Sequence, residues 1–274
     1  MARPTLSQSA KPATYEVEAY NERGEMVPTS IAGEHPLTLY VDKREIVTLM
    51  TLGHAPEALV IGYLRNQRLV GAIDEIESVQ VDWETDSAAV VTVHKKELSI
   101  GKRTVTSGCG QGTMFGDLME EVDQIQLRKD VLLEDTNLFV LLEKVRKHET
   151  IYKQAGAVHG CALCTLEGEI LMFVEDVGRH NAVDAIAGHM WLDAIDGSDK
   201  VFYTTGRLTS EMIIKCAQMR IPFLVSRSGL TKMGHEVAKK VGMTMLGRAS
   251  GRHYLAFTGK ERLVRSSPQP TALA

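Results

Sequence analysis

The chain has 274 residues, 44% of them hydrophobic and 24% charged, and a formal net charge of −4. A chain of this size buries a large core, in one elaborate domain or two modest ones, and its composition excludes intrinsic disorder. With 31 basic residues against 35 acidic ones there is no broad basic face for nucleic acid, and no apolar run reaches the roughly 18 residues of a membrane span.

In chain order, residues 1–14 and 266–274 read as mobile tails. The opening stretch, MARPTLSQSAKPATYEVEAY, lacks the apolar segment of a signal peptide, so a cytoplasmic location is expected. There the four cysteines stay reduced and serve packing or chemistry. Residues 15–134 read as a β-rich N-terminal part, with short strands in YEVEAY, LTLYVD, EIVTLM, SVQVDW and AVVTVH. One helix interrupts them over APEALVIGYLRNQRLV, where Pro56 suits a first helical position. Residues 99–134 are irregular and carry the Gly-rich SGCGQGTMFG.

The second part, 135–265, opens with a helix that Asp135 and Thr136 can cap, and Phe139, Leu142 and Val145 recur along it at helical spacing. A hairpin then fits AVHGCALCTLEGEILMFVEDV, with Glu167-Gly168 as its turn. A helix from about Arg179 to Asp193 follows, with Asp176 as candidate cap. Next come the strand VFYTT, a helix beginning near Ser210, the strand PFLVS, a helix ending at Gly242 and the strand MTMLG. Strands and helices alternating through short connections require parallel strands and right-handed crossovers. The expected fold class is α/β (α+β overall), a three-layer α/β domain with a smaller β-rich N-terminal part.

Cys161 and Cys164 form a CxxC pair, which suggests zinc or thiol–disulfide chemistry. In a strand, however, residues three apart point to opposite faces, so the two thiols diverge. A zinc deaminase needs HxE and PCxxC, and a zinc ribbon needs a second CxxC; none of these occurs. The pair is therefore expected to pack in the core without metal, as is Cys216 in the helical stripe of SEMIIKCAQM. Cys109 differs. Glycines at 108, 110, 112 and 116 surround it, and no apolar period buries it, which suits a thiol that another protein must reach.

Three consecutive strands end in similar chemistry: Thr205-Gly206-Arg207, Ser226-Arg227-Ser228-Gly229, and Gly247-Arg248-Ala249-Ser250-Gly251-Arg252. The carboxyl ends of parallel strands share one edge of a sheet, so these segments should converge. Hydroxyls, backbone N–H groups and arginine forks are what a phosphate or diphosphate needs. A further polar cluster, VEDVGRHNAVDAI, fixes a helix start or supplies His180 as a general base; no serine nucleophile motif accompanies it. His159 reads as a buried, hydrogen-bonded histidine or a member of the same pocket.

The run EDVGRHNAVD, the preceding GAVHGCAL, the later TTGRLTSEMI and IPFLVSRSG, and the loop SGCG together resemble the FdhD family, from about Pro36 to about Leu263. These are accessory sulfurtransferases of molybdenum-dependent formate dehydrogenases. The resemblance implies a C-terminal half like the cytidine deaminases but without zinc, and a homodimer. It also implies that the protein takes persulfide sulfur from a cysteine desulfurase and passes it to the molybdenum bis(molybdopterin guanine dinucleotide) cofactor of the formate dehydrogenase catalytic subunit. GDP or GTP would mimic part of that cofactor. Cys109 matches the persulfide-bearing cysteine of the family's CGxC loop, but Gly112 stands at the second cysteine. The family's cofactor-binding stretch matches Arg248 to His253. A non-covalent cofactor chaperone without sulfur transfer is the alternative that Gly112 raises.

Overall fold

The computed structural model describes residues 3–94, 104–105, 112–113, 122, 124–148 and 150–266. Its first half contains β1 (Thr5–Leu6), β2 (Thr14–Tyr20), β3 (Met26–Ala32), β4 (His35–Val41), β5 (Arg44–Thr51), α1 (Pro56–Asn66), β6 (Ile76–Asp82) and β7 (Ser87–Thr92). Two short pairs follow, β8 (Thr104–Val105) with β9 (Gly112–Thr113), and β10 (Leu133–Glu134) with β17 (Leu263–Val264). The second half holds α2 (Asp135–His148), α3 (Ile151–Ala155), β11 (His159–Thr165), β12 (Ile170–Asp176), α4 (Arg179–Leu192), β13 (Lys200–Thr204), α5 (Ser210–Gln218), β14 (Phe223–Ser226), α6 (Lys232–Val241), β15 (Thr244–Ser250) and β16 (His253–Thr258).

The N-terminal sheet runs β1-β6-β7-β4-β5. Alternation puts Leu37, Leu39 and Val41 of β4 on its inner face, where they meet Leu59, Ile61 and Leu64 of α1. Residues 3–14, expected as a tail, do not trail free. β1 pairs in parallel with β6, and Glu57 accepts both the Ser7 hydroxyl and the Ser9 N–H at 2.7 Å. Two residues are too few to show a strand period, so only the pairing reveals this segment.

The central sheet runs β12-β11-β13-β14-β15-β16, with β13, β14 and β15 parallel. Leu138, Leu141, Leu142 and Val145 of α2 cover one face. On the other lie Val183 and Ile186 of α4, Met212 and Ile213 of α5, and Val237 of α6. The domain is thus three-layered. The hairpin β11–β12 turns where Gly168 adopts φ +84° and donates its N–H to the Thr165 carbonyl. Sequence reading misses β3 and β16, since neither strand alternates between buried and exposed positions.

The halves join where α1 crosses α4. A Cβ on Gly62 would stand 1.6 Å from the Asp184 carbonyl oxygen, and one on Gly188 would stand 1.9 Å from the Ala58 carbonyl oxygen. Only glycine permits this backbone approach. Nearby, Asp176 ties the halves together rather than capping α4, whose N-cap is Gly178. Its carboxylate accepts from the Thr51 hydroxyl at 2.6 Å and the Leu52 N–H at 3.2 Å in the first half. In the second it accepts from the Gly178 N–H at 3.0 Å and the Asn181 amide at 2.8 Å.

Candidate functional site

Parallel register sets Thr204, the last residue of β13, beside Ser226, the last of β14. The segments beyond them are stitched together. The Arg227 N–H donates to the Thr204 carbonyl at 3.2 Å, and the Arg248 N–H to the Ser228 carbonyl at 2.9 Å. The fully buried Ser226 hydroxyl donates to the Gly206 carbonyl at 2.6 Å and accepts the Ser228 N–H at 2.9 Å. Ser226 therefore holds the rim together from below. Gly206 is required for a second reason: a Cβ there would stand 2.7 Å from Cδ of Arg179, whose stem lies across it.

Around this rim the side chains are cationic. Arg207 and Arg227 are exposed, Arg179 is buried beside them, and the Arg227 guanidinium lies 5.5 Å from the Tyr152 ring centroid. His159 sits among them, with Nδ1 3.3 Å from the Thr205 hydroxyl. Its pKa is lowered by burial and by Arg179, Arg207 and Arg227, which keeps the imidazole neutral near pH 7. His180 is pushed well below the ordinary value by burial and then by Lys215 and Arg179.

The third expected segment behaves differently. Arg248, at φ +51°, still belongs to β15, and Ala249 is buried in the core beneath α2 rather than facing a ligand. Ser250 pairs with His253 across a turn at Gly251, so Arg248–His253 is the β15–β16 hairpin and not a loop after the last strand. Arg252 lies 5.3 Å from the Phe139 ring centroid. Ser250, Gly251 and Arg252 line a cleft of about 590 Å³ against Phe139, Leu142 and Arg146 of α2. The structure thus joins Gly206, Arg207, Ser226 and Arg227 in one rim. Arg248 meets it through its N–H, and Ser250, Gly251 and Arg252 face α2.

Cys161 and Cys164 are both fully buried and belong to the cores on opposite faces of the sheet. Burial pushes both thiols up to about 12. Cys216 is buried as well. Cys109 lies outside the described residues; Thr104–Val105 and Gly112–Thr113 pair antiparallel on either side of it.

Sequence reading picks out the cluster that holds His180 and Asp184 but overlooks Asn66, Glu211 and Lys215, which join them in a buried polar chain. Asn66 donates its amide to Asp184 at 2.7 Å, and the Lys215 ammonium lies 2.8 Å from Asp184 Oδ2 and 3.7 Å from Glu211 Oε1. Glu211 Oε1 in turn lies 3.5 Å from Nδ1 of His180. The available signal was Glu211 and Lys215, spaced i,i+4 in the otherwise apolar EMIIKCA, which marks an internal pair.

Fold and rim together define a mixed α/β protein whose central sheet ends in a cationic edge at its parallel strands. The chain belongs to the FdhD/NarQ family, whose profile matches residues 32–264. Among its curated relatives, "Sulfur carrier protein FdhD" of Listeria innocua is 31% identical over 242 residues, covering 86% of this chain and 92% of that one. The protein of the same name from Sulfurisphaera tokodaii is 29% identical, covering 89% and 95%. A solved structure from Desulfotalea psychrophila, assigned as a formate dehydrogenase accessory protein, superposes with a TM-score of 0.76 at 26% identity. It covers 92% of this chain and all of the other. No helix among the described residues is long and apolar enough to cross a membrane.

Proposed function

We propose that the protein is a sulfur carrier serving a formate dehydrogenase. Its relatives' shared name supports the general role, and the cationic rim around His159, with Arg179, Arg207 and Arg227, is the observation that carries the ligand class. In this reading the Cys109 thiolate attacks the terminal sulfur of a persulfide on a cysteine desulfurase. The donor's S–S bond breaks, its thiolate leaves, and Cys109 holds the sulfur as a persulfide. The outer sulfur then passes to the molybdenum of a bis(molybdopterin guanine dinucleotide) cofactor, which is cargo destined for the catalytic subunit: the persulfide S–S bond breaks, Cys109 leaves as the thiolate, and a reduced Mo(IV) centre would supply the two electrons that bring the sulfur to the sulfide level. Guanidinium forks at the rim and at Arg248 and Arg252 suit the diphosphates of such a ligand. The reading includes a homodimer working in the cytoplasm.

Gly112 favours a second reading, a non-covalent cofactor chaperone, because the loop offers no resolving thiol beside Cys109. Mass spectrometry of the protein after incubation with a desulfurase and cysteine separates the two. Sulfur transfer expects a 32 Da increment on Cys109, and formate dehydrogenase inactive in cells carrying only Cys109→Ala. Normal formate dehydrogenase activity with that variant would reject transfer and leave the chaperone.

A further inference from the structure

Four charged or polar side chains from three helices meet beneath the rim with almost no solvent contact. Asn66, Asp184, Lys215 and Glu211 are each 3% exposed or less, and His180 ends the series at 1%. Burying an ammonium is costly unless carboxylates surround it, and here two do. Burial pulls Lys215 down, but Asp184 and Glu211 outweigh it and hold the ammonium above its ordinary range. Lys215 thus stays charged and fixes both carboxylates.

Glu211 has one consequence for the rim. Glu211 Oε1 and His180 Nδ1 face each other at 3.5 Å without closing a hydrogen bond, and a carboxylate oxygen favours a ring nitrogen that carries its proton over one that presents a lone pair. The groups facing His180 are Glu211 and Lys215 from α5, Arg179 and Asp184 from α4, His159 from β11 and Arg207 from the segment after β13. Cations outnumber carboxylates in this set, which opposes a second proton on the ring.

We propose that Lys215 is a positioning residue for the rim: held between Asp184 and Glu211, it fixes His180 as a neutral imidazole protonated on Nδ1, so that Nε2 takes up a proton when an anion enters. The tautomer stands on the geometry alone, while the proton uptake rests on the rim being the ligand site proposed above. An entering phosphate reverses the local field that the arginines create, which makes the second proton favourable.

The test begins with nitrogen NMR of the unliganded protein at pH 7, His180 being assigned from the difference made by His180→Gln. A neutral ring protonated on Nδ1 is expected; an Nε2-protonated ring or an imidazolium overturns the proposal. The double variant Asp184→Asn/Lys215→Met removes the pair without leaving a lone charge between them. With the ammonium gone and Glu211 still beside the ring, its titration should rise by about 1 pH unit or more, whereas Lys215→Arg should leave it in place. An unchanged titration in a folded double variant sinks the positioning role. Should that variant not fold, Glu211→Gln serves instead, with a mixed tautomer expected and an unaltered one overturning the idea. Calorimetry of GDP binding at pH 6.5 in two buffers of different ionisation enthalpy should show proton uptake that His180→Gln abolishes. Binding without uptake overturns the second half. No binding of GDP to the unaltered protein rejects the rim as ligand site, and with it the uptake, while the tautomer result stands.

Discussion

Gly62 of α1 faces the backbone of Asp184 on α4 so closely that a methyl group on it would lie 1.6 Å from the carbonyl oxygen. A helix backbone cannot yield as a side-chain tip can, so Gly62→Ala must push the helices apart. The expected loss is about 3 kcal/mol, the upper end of ordinary overpacking, read from urea denaturation. Gly229→Ala, with nothing within 4 Å, is the control and should change stability by less than about 0.5 kcal/mol. Equal effects at the two sites would contradict the crossing.

Thiol chemistry should divide the cysteines. Cys161, Cys164 and Cys216 are buried and their thiols are raised far above neutral pH. Iodoacetamide at pH 8 should leave all three unmodified in the native protein and label them in urea, as peptide mass mapping will show. Native labelling of Cys161 or Cys164 would contradict their core positions.

Arginine substitutions test the rim against the hairpin cleft. Arg207→Ala and Arg227→Ala should each weaken GDP binding roughly tenfold to a hundredfold, the value of about 1.5–3 kcal/mol for a charge-assisted contact. Arg252→Ala measures whether the cleft beside Phe139 takes part in the same ligand. Unchanged affinity in both rim variants would remove the rim from the ligand site.

Acid should destabilise the fold through its histidines. His159, His180 and His189 are held below the usual 6.5 chiefly by burial. Below about pH 6.5 the unfolded chain binds protons that the folded chain refuses, so stability falls as pH drops through the folded values. The slope is at most about 1.4 kcal/mol per pH unit for each histidine. Urea midpoints at pH 7 and pH 5.5 should show this fall, with a smaller one in His159→Gln. Equal midpoints would mean that the rings are already charged when folded.

Local rules made much of this legible. Divergence of Cys161 and Cys164 follows from a two-residue period, and the Gly168 turn from its left-handed backbone. The segments Thr205–Arg207 and Ser226–Ser228 meet because parallel strands must end on one edge. Hidden features depend on long-range pairing. β16 is half exposed and has no period, so in the sequence the stretch 247–252 reads as a loop after the last strand. The helix around Lys215 shows its i,i+4 partner Glu211, but not Asp184, which stands 31 residues earlier in the chain.

The carboxylate of Asp176 gathers donors from Thr51, 125 residues earlier in the chain, and from Gly178 and Asn181 just after it. Its consequence concerns cutting and splicing. A backbone break placed between Thr92 and Val122 would leave both groups of donors on one acceptor, and the two fragments should elute as a single particle and melt together. Either fragment made alone would carry a bare helix face and half of a shared lock. The protein should therefore tolerate being supplied in two pieces far better than being shortened to one.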